Sequence, residues 1–386
     1  MRFTKGLSQV SLAVLLVLSA AQLCFAKHYL MYVGTYTNKG SKGIYAYRYD
    51  SASGKLEALG LATETDNPSF LVADSAGKHL YAVNENQTFH GEASGGVTAF
   101  AIDRKTGKLT SLNQVASRGT DPCHISLDRT GKYILVANYS GGNVAVLPVA
   151  ADGRLGQASS VMQDEGAVGP NHERQDKAHA HWIEASARNR FVYVADLGLD
   201  RVLVYKFDAS KGALSRGEPA NFFSAVVAPG IGPRHVTFSA DGKFMYVLGE
   251  LDSSVTVFAN DKETYRSIQK ISALPSGFSG KNDAAEISRH PNGKFLYTSN
   301  RGDDSIAQFT VDQASGKLTF VQRVSTGGKT PRHFAIDPDG THLLAANEDS
   351  GNVVEFTIDQ KSGQLKTVGE VAKVPSAVCL VFVALD

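Results

Sequence analysis

Apolar and polar residues alternate in short runs along most of the chain, and Gly, Asp and Asn bound the runs. The stretch from Gly232 to Phe258, GPRHVTFSADGKFMYVLGELDSSVTVF, shows the unit most clearly. HVTFS, FMYVLGE and SVTVF are β-branched and aromatic, and the turn signals Ala240-Asp241-Gly242-Lys243 and Leu251-Asp252-Ser253 separate them. This pattern predicts an antiparallel meander. The start of its first strand and the end of its second share one rim, so Arg234, His235 and Glu250 are predicted to meet there.

The unit recurs. Copies beginning at Asn67, Asp121, His179, Gly232, Asp283 and Thr330 each carry four strand-like runs. The chain ends supply one more: VPSAVCLVF near the C-terminus reads as a first strand, and YLMYVGTYT, GIYAYRYD and KLEALG near the N-terminus read as the other three. Second strands end at Gly34, Asn84, Asn138, Asp196, Gly249, Asn300 and Asn347, 47 to 58 residues apart. The prediction is an all-β fold: one seven-bladed β-propeller over residues 27–386, with one blade closed by strands from both termini. A single tryptophan, Trp182, excludes WD-type repeats. Three connections are long, Glu85–Gly95, Gln163–Ala178 and Ser272–Asp283, and all three are expected to crowd the polar rim.

Residues 1–26 stand apart from the repeats. Arg2 and Lys5 precede a mostly apolar run from Leu12 to Leu23, and Cys24-Phe25-Ala26 offers small residues for cleavage near Ala26. This predicts a secretory signal and a periplasmic or secreted protein. Losing Arg2 and Lys5 takes the formal net charge from +1 to −1. No basic excess points to nucleic acid, and no second apolar run points to a membrane span in the mature chain. Cys123 and Cys379 fall in non-adjacent repeats and are expected to be free buried thiols.

The first strand of each blade should line the channel. Its start reads Ser69-Phe70, Cys123-His124, His181-Trp182, Arg234-His235, Ala285-Glu286, Arg332-His333 and Ser376-Ala377 around the ring. Histidines recurring at one repeat position, His124, His235 and His333, suit a scaffold role. Residues that break the repeat are the candidates for function: Arg234, Arg332, Glu286, His181, Glu250 and Arg301. His179-Ala180-His181 could pair two imidazoles on a metal, but no further ligand spacing accompanies it, so no metal site is expected. Neither a phosphate loop nor a GxSxG elbow is present, and no cofactor is expected. Acid–base chemistry on a bound anion fits best. Arg234 and Arg301 would hold the anion and stabilise developing negative charge, while Glu250 and His181 would move protons.

GPRHVTFSADGKFMYVLGELDSSV, AAEISRHPNGKFLYTSNRGDDSIAQF, TPRHFAIDPDG and GPNHERQDKAHAHW together resemble the lactonase propeller family, which includes propeller-type 6-phosphogluconolactonase and fungal carboxy-muconate cyclase. The resemblance covers the chain from about Lys27 onward. It implies a seven-bladed propeller and a site built from His181, Arg234, Glu250 and Arg301, four of the six repeat-breakers. It also implies supporting roles for Glu286 and for Arg174, Gln175 and His179 of the RQ…HxH segment. His124, His235 and Arg332 complete the residues expected to support the site or bind substrate. The TPR motif is followed by His333, where the family often has Asn.

The expected activity is hydrolysis of a small sugar-acid lactone, with the family's phosphogluconolactone replaced by an unphosphorylated lactone if the protein is exported. Glu250 would activate water and His181 would protonate the leaving alkoxide. The alternatives are a muconate-type lactonising cyclase and a non-catalytic periplasmic binding propeller.

Overall fold

The computed structural model describes residues 27–217, 224–261 and 264–385. The signal segment predicted over 1–26 lies outside the described residues. Within them the strands form seven antiparallel sheets, and the only helical turn is a 3-10 segment, Thr37–Lys39. Blade 1 joins the termini: Ala377–Ala384 pairs with His28–Thr35, followed by Gly43–Asp50 and Leu56–Glu64. Blades 2 to 7 then run in chain order, their innermost strands Leu71–Ala73, Pro122–Leu127, Ala180–Ala185, Pro233–Phe238, Asp283–Arg289 and Pro331–Ile336. The expected closure and blade count are both present.

Seven apolar clusters fill the spaces between neighbouring blades. Leu135 and Val146 of blade 3, for example, pack on Ile183 and Val194 of blade 4. The core is therefore a ring of interfaces around a channel. The alternation expected of every strand gives way in the middle strands, such as Tyr133–Asn138 and Asn143–Pro148, which are buried along most of their length. A blade has another blade on each face, so both sides of these strands are apolar. Outer strands such as Leu365–Lys373 are mostly exposed.

Asparagines at the second-strand ends tie the ring together. Asn138, Asn300 and Asn347 donate to the carbonyls of Ser117 (3.1 Å), Ala273 (3.1 Å) and Thr326 (3.3 Å), each just past the outer strand of the preceding blade. From there the chain must turn sharply towards the channel. Asn67, Asp121, Gly232 and Thr330 do this in the left-handed region, each immediately before a proline. Cys123 and Cys379 are both buried and free.

Candidate active site

The site is made by two backbone positions repeated around the ring. The first is a β-bulge at the start of the innermost strand. In blades 3, 4, 5 and 7 the register slips between Pro122 and His124, Ala180 and Trp182, Pro233 and His235, and Pro331 and His333. The residues left unpaired are Cys123, His181, Arg234 and Arg332. A bulge re-aims the extra side chain, and here it delivers these four to the channel mouth. The second position lies at the end of the second strand. In blades 1, 2, 3, 5 and 7 it holds Tyr36, Glu85, Tyr139, Glu250 and Glu348, whose N–H groups donate to the left-handed residue leading into the first strand. In blade 6 it holds Arg301, which pairs with Asp283.

The residue after each bulge lies one layer deeper, and this inner ring closes the floor. Phe70 sits among His124, His235 and His333, with ring centroids 4.3, 5.8 and 5.6 Å away. His124 accepts the Ile183 N–H at 3.3 Å, and His333 accepts that of Leu380 at 3.3 Å. The Glu286 carboxylate lies 3.0 Å from His235 Nδ1 and 3.4 Å from His333 Nε2. These side chains pack on and bond to one another in a layer of their own. One position is corrected. Thr35 pairs with Ala377 and Gly34 with Cys379, so blade 1 presents Val378 and Cys379 to the channel, not Ser376 and Ala377.

His181 and Arg234 from the bulges meet Glu250 and Arg301 from the second-strand ends, as expected. Oε2 of Glu250 lies 3.0 Å from Arg234 Nε, 3.1 Å from Arg301 Nη2 and 3.7 Å from His181 Nε2. None of these contacts has hydrogen-bond alignment, and Oε2 is buried without a hydrogen-bond partner. Its charge is met by the guanidinium groups without an aligned hydrogen bond. Arg174, from the long connection before blade 4, bonds Oε1 and lies 3.6 Å from Asp283. Backbone carbonyls hold the other guanidinium edges: Arg234 donates to Ala285 O, and Arg301 to Asp283 O (3.3 Å) and Ala284 O (3.2 Å). All three long connections reach the rim, through Glu85, Arg174 and Asp283.

Electrostatics fix the protonation states. Burial alone would raise the Glu250 carboxyl, but Arg301, Arg234 and Arg174 reverse this and hold it at about 2. Burial, then the Arg234 charge, pushes His181 well below the usual imidazole range, so the ring is neutral at pH 7. Burial and the charges of Arg301 and Arg332 bring Arg234 down to about 10.

Two expected residues lie apart from this cluster. His179 stacks on Tyr139 with centroids 4.5 Å apart, and its ring nitrogens face Tyr139 O (3.1 Å) and Asp176 (2.8 Å). It therefore braces the connection and is not free to pair with His181 on a ligand. Arg332 faces the channel from the other side, donating to the Tyr36 hydroxyl at 2.8 Å. Tyr36, Glu85 and Tyr139 were not among the candidates. The signal for Glu85 and Tyr139 was the repeat position they share with Glu250; Tyr36 lies one residue beyond it in the string and reaches it through the pairing of Thr35 with Ala377.

Fold and site together define a class. This is a propeller whose channel mouth holds a buried carboxylate ringed by guanidinium groups and a neutral imidazole, suited to reactions that develop negative charge. The chain belongs to the lactonase seven-bladed β-propeller family, whose profile, "Lactonase, 7-bladed beta-propeller", matches residues 30–382. A 6-phosphogluconolactonase of Bacillus subtilis is 38% identical over 80% of this chain and 85% of its own. One of Formosa agariphila is 34% identical over 80% and 86%. The solved structure of a periplasmic gluconolactonase from Pseudomonas aeruginosa superposes with a TM-score of 0.85 at 38% identity, covering 93% of this chain and all of that one.

Proposed function

We propose that the protein hydrolyses a sugar-acid lactone at the Glu250 cluster. The observation that supports this best is the meeting of Arg174, Arg234, Arg301 and a neutral His181 around one buried carboxylate. Family membership and the lactonases to which the chain is similar point the same way.

The protonation states change the roles expected from the sequence. Glu250 is committed as a carboxylate to three guanidinium groups, and a neutral imidazole has no proton to give first but a lone pair to take one. His181 Nε2 therefore takes the proton of the attacking water. Glu250 Oε2, 3.7 Å from that nitrogen, accepts the water's other hydrogen and orients it. Hydroxide adds to the lactone carbonyl, and Arg234 and Arg301 stabilise the oxyanion. The ring C–O bond then breaks, and His181 returns its proton to the leaving alkoxide. Glu250 stays ionised throughout and keeps the guanidinium groups in place.

The test is turnover of aldonolactones, corrected for spontaneous hydrolysis, with muconates assayed alongside for cyclisation. Arg301→Ala and Glu250→Gln are each expected to lower kcat/KM about a hundredfold or more with the fold intact. Near-wild-type turnover in both variants would sink the assignment. We further propose export, with cleavage near Ala26, from the charged, apolar and small-residue order of residues 1–26. The periplasmic location named for the Pseudomonas aeruginosa gluconolactonase agrees with this. Mass measurement of the mature N-terminus checks it.

A further inference from the structure

The Glu250 cluster occupies only one side of the channel mouth, on blades 4, 5 and 6. Blades 7, 1 and 2 bring a second constellation to the opposite side. Tyr36 is its centre. The hydroxyl donates to Glu85 Oε2 at 2.9 Å and accepts from Arg332 Nη2 at 2.8 Å. The Arg332 guanidinium also lies over the Tyr36 ring, 5.3 Å from its centroid. Tyr36, Glu85 and Arg332 all keep partial exposure, whereas Arg234 and Glu250 are only 3% and 2% exposed. The trio occupies the same two repeat positions that build the Glu250 cluster. It is also near enough that the Arg332 charge acts on Arg234, His181 and Glu250.

The two sides differ in charge. Around Glu250 three guanidinium groups face two carboxylates, Glu250 and, 3.6 Å from Arg174, Asp283, which leaves a positive excess. Around Arg332 the charges balance or run negative: Glu85 and Glu348 both act on it, and Lys39 lies 3.0 Å from Glu348. The cationic side suits a developing oxyanion. The other side offers a carboxylate acceptor, a guanidinium donor and a phenol oxygen with a lone pair left, close together. Vicinal hydroxyls, which also donate and accept, match that mixture. A phosphate monoester, carrying roughly −1.5 to −2 charges, does not, because it would meet Glu85 and Glu348.

Resting on the lactonase assignment, we propose that Tyr36, Glu85 and Arg332 form a second subsite that binds the hydroxylated tail of an uncharged aldonolactone and selects against its phosphorylated counterpart. The substrate then spans the mouth above the Phe70 floor. Its carbonyl faces Arg234 and Arg301, and its terminal hydroxyls face Tyr36.

Steady-state kinetics on glucono-1,5-lactone and its 6-phosphate test this with wild type, Tyr36→Phe and Glu85→Gln, each checked for an unchanged melting temperature. Wild type is expected to favour the unphosphorylated lactone by about tenfold or more in kcat/KM. Tyr36→Phe should raise KM for that lactone roughly three- to tenfold with little change in kcat, the signature of a lost ground-state hydrogen bond. Glu85→Gln should shrink the preference by about tenfold through a gain on the phosphate. The subsite is overturned if wild type prefers the phosphorylated lactone, or if both variants keep wild-type KM and preference while Glu250→Gln abolishes turnover. In that second case the lactonase assignment stands. Absence of turnover of either lactone by wild type overturns the assignment, and the subsite with it.

Discussion

His124, His181, His235 and His333 surround the channel, and burial lowers the pKa of all four, His333 to about 4. Two consequences are measurable. Protonation of His181 would remove the proposed base, yet its pKa is far below 6.5. The kcat/KM profile should therefore show no acid limb near pH 6.5, with activity falling only at lower pH. A limb at 6.5 that disappears in a His181 variant would contradict this. The second consequence concerns stability. His124 accepts a backbone N–H and packs on Phe70, so the folded state keeps it unprotonated while the unfolded chain takes up a proton below about 6.5. Unfolded chains then bind more protons, and stability falls as pH drops. His124→Gln should lose less stability than wild type between pH 6.5 and 4.5, by up to about 1.4 kcal/mol per pH unit. Denaturant titrations at several pH values read the difference. Some of this scale was legible beforehand. Arg234, Glu250, His181 and Arg301 break a repeat, and a broken repeat is visible in a string. Tyr36 and Glu85 were not chosen, because they follow strand ends where turn residues are common. Protonation states arise from burial and charge summed over several blades, and no local pattern encodes that sum.

Among the elements, the bulge and the long connection before blade 4 do most to shape the site. The bulge explains why His181 is offset by one from the scaffold histidines: Trp182 is their equivalent, and His181 is the equivalent of Arg234 and Arg332. The strands were legible from β-branched runs and turn residues. The bulges were not, since an extra residue at a strand start changes no propensity. The connection is anchored by two buried carboxyls. Asp164 accepts the Tyr205 hydroxyl at 2.5 Å, and Asp196 accepts the His179 N–H and Leu199 N–H, each at 2.9 Å. The two carboxyls interact, and burial followed by the Asp196 charge holds Asp164 well above the usual range. A group with a raised folded-state pKa stabilises while protonated, and that contribution fades as pH rises towards the folded value. Asparagine mimics the protonated form. Asp164→Asn should thus hold its melting temperature better than wild type as pH rises above the unfolded carboxyl value of about 4. A variant that melts lower than wild type by the same margin at every pH would show that the shared proton is not what secures this connection.

For the molecule as a whole, the blade count and the joined termini followed from counting repeats, and the ring of inter-blade cores follows from closure. Each cluster needs two blades, so every blade depends on both neighbours, and blade 1 depends on a strand from the far end of the chain. Tyr29 pairs with Ala384, Gly34 with Cys379, and the Leu385 N–H donates to His28 O at 2.9 Å. Removing Ala377–Ala384 takes Cys379 and Val383 from one inter-blade cluster and Ala377 and Leu380 from the other. It also leaves the apolar strand His28–Thr35 as an open edge. Closure, not the covalent position of the ends, should carry the stability. The ends of the ring already lie side by side as an antiparallel pair, so a short turn joining 385 to 27 makes them a hairpin. New ends can be cut in the exposed turn between Ala314 and Ser315, which makes the outer strand of blade 6 the one supplied by the opposite terminus. The permutant should fold and melt within a few degrees of the parent, while the chain truncated after 376 should show no cooperative transition. Circular dichroism melts of the three proteins decide it. A cooperative transition in the truncated chain would mean that six blades and an open sheet suffice, and that the shared blade is dispensable to the ring.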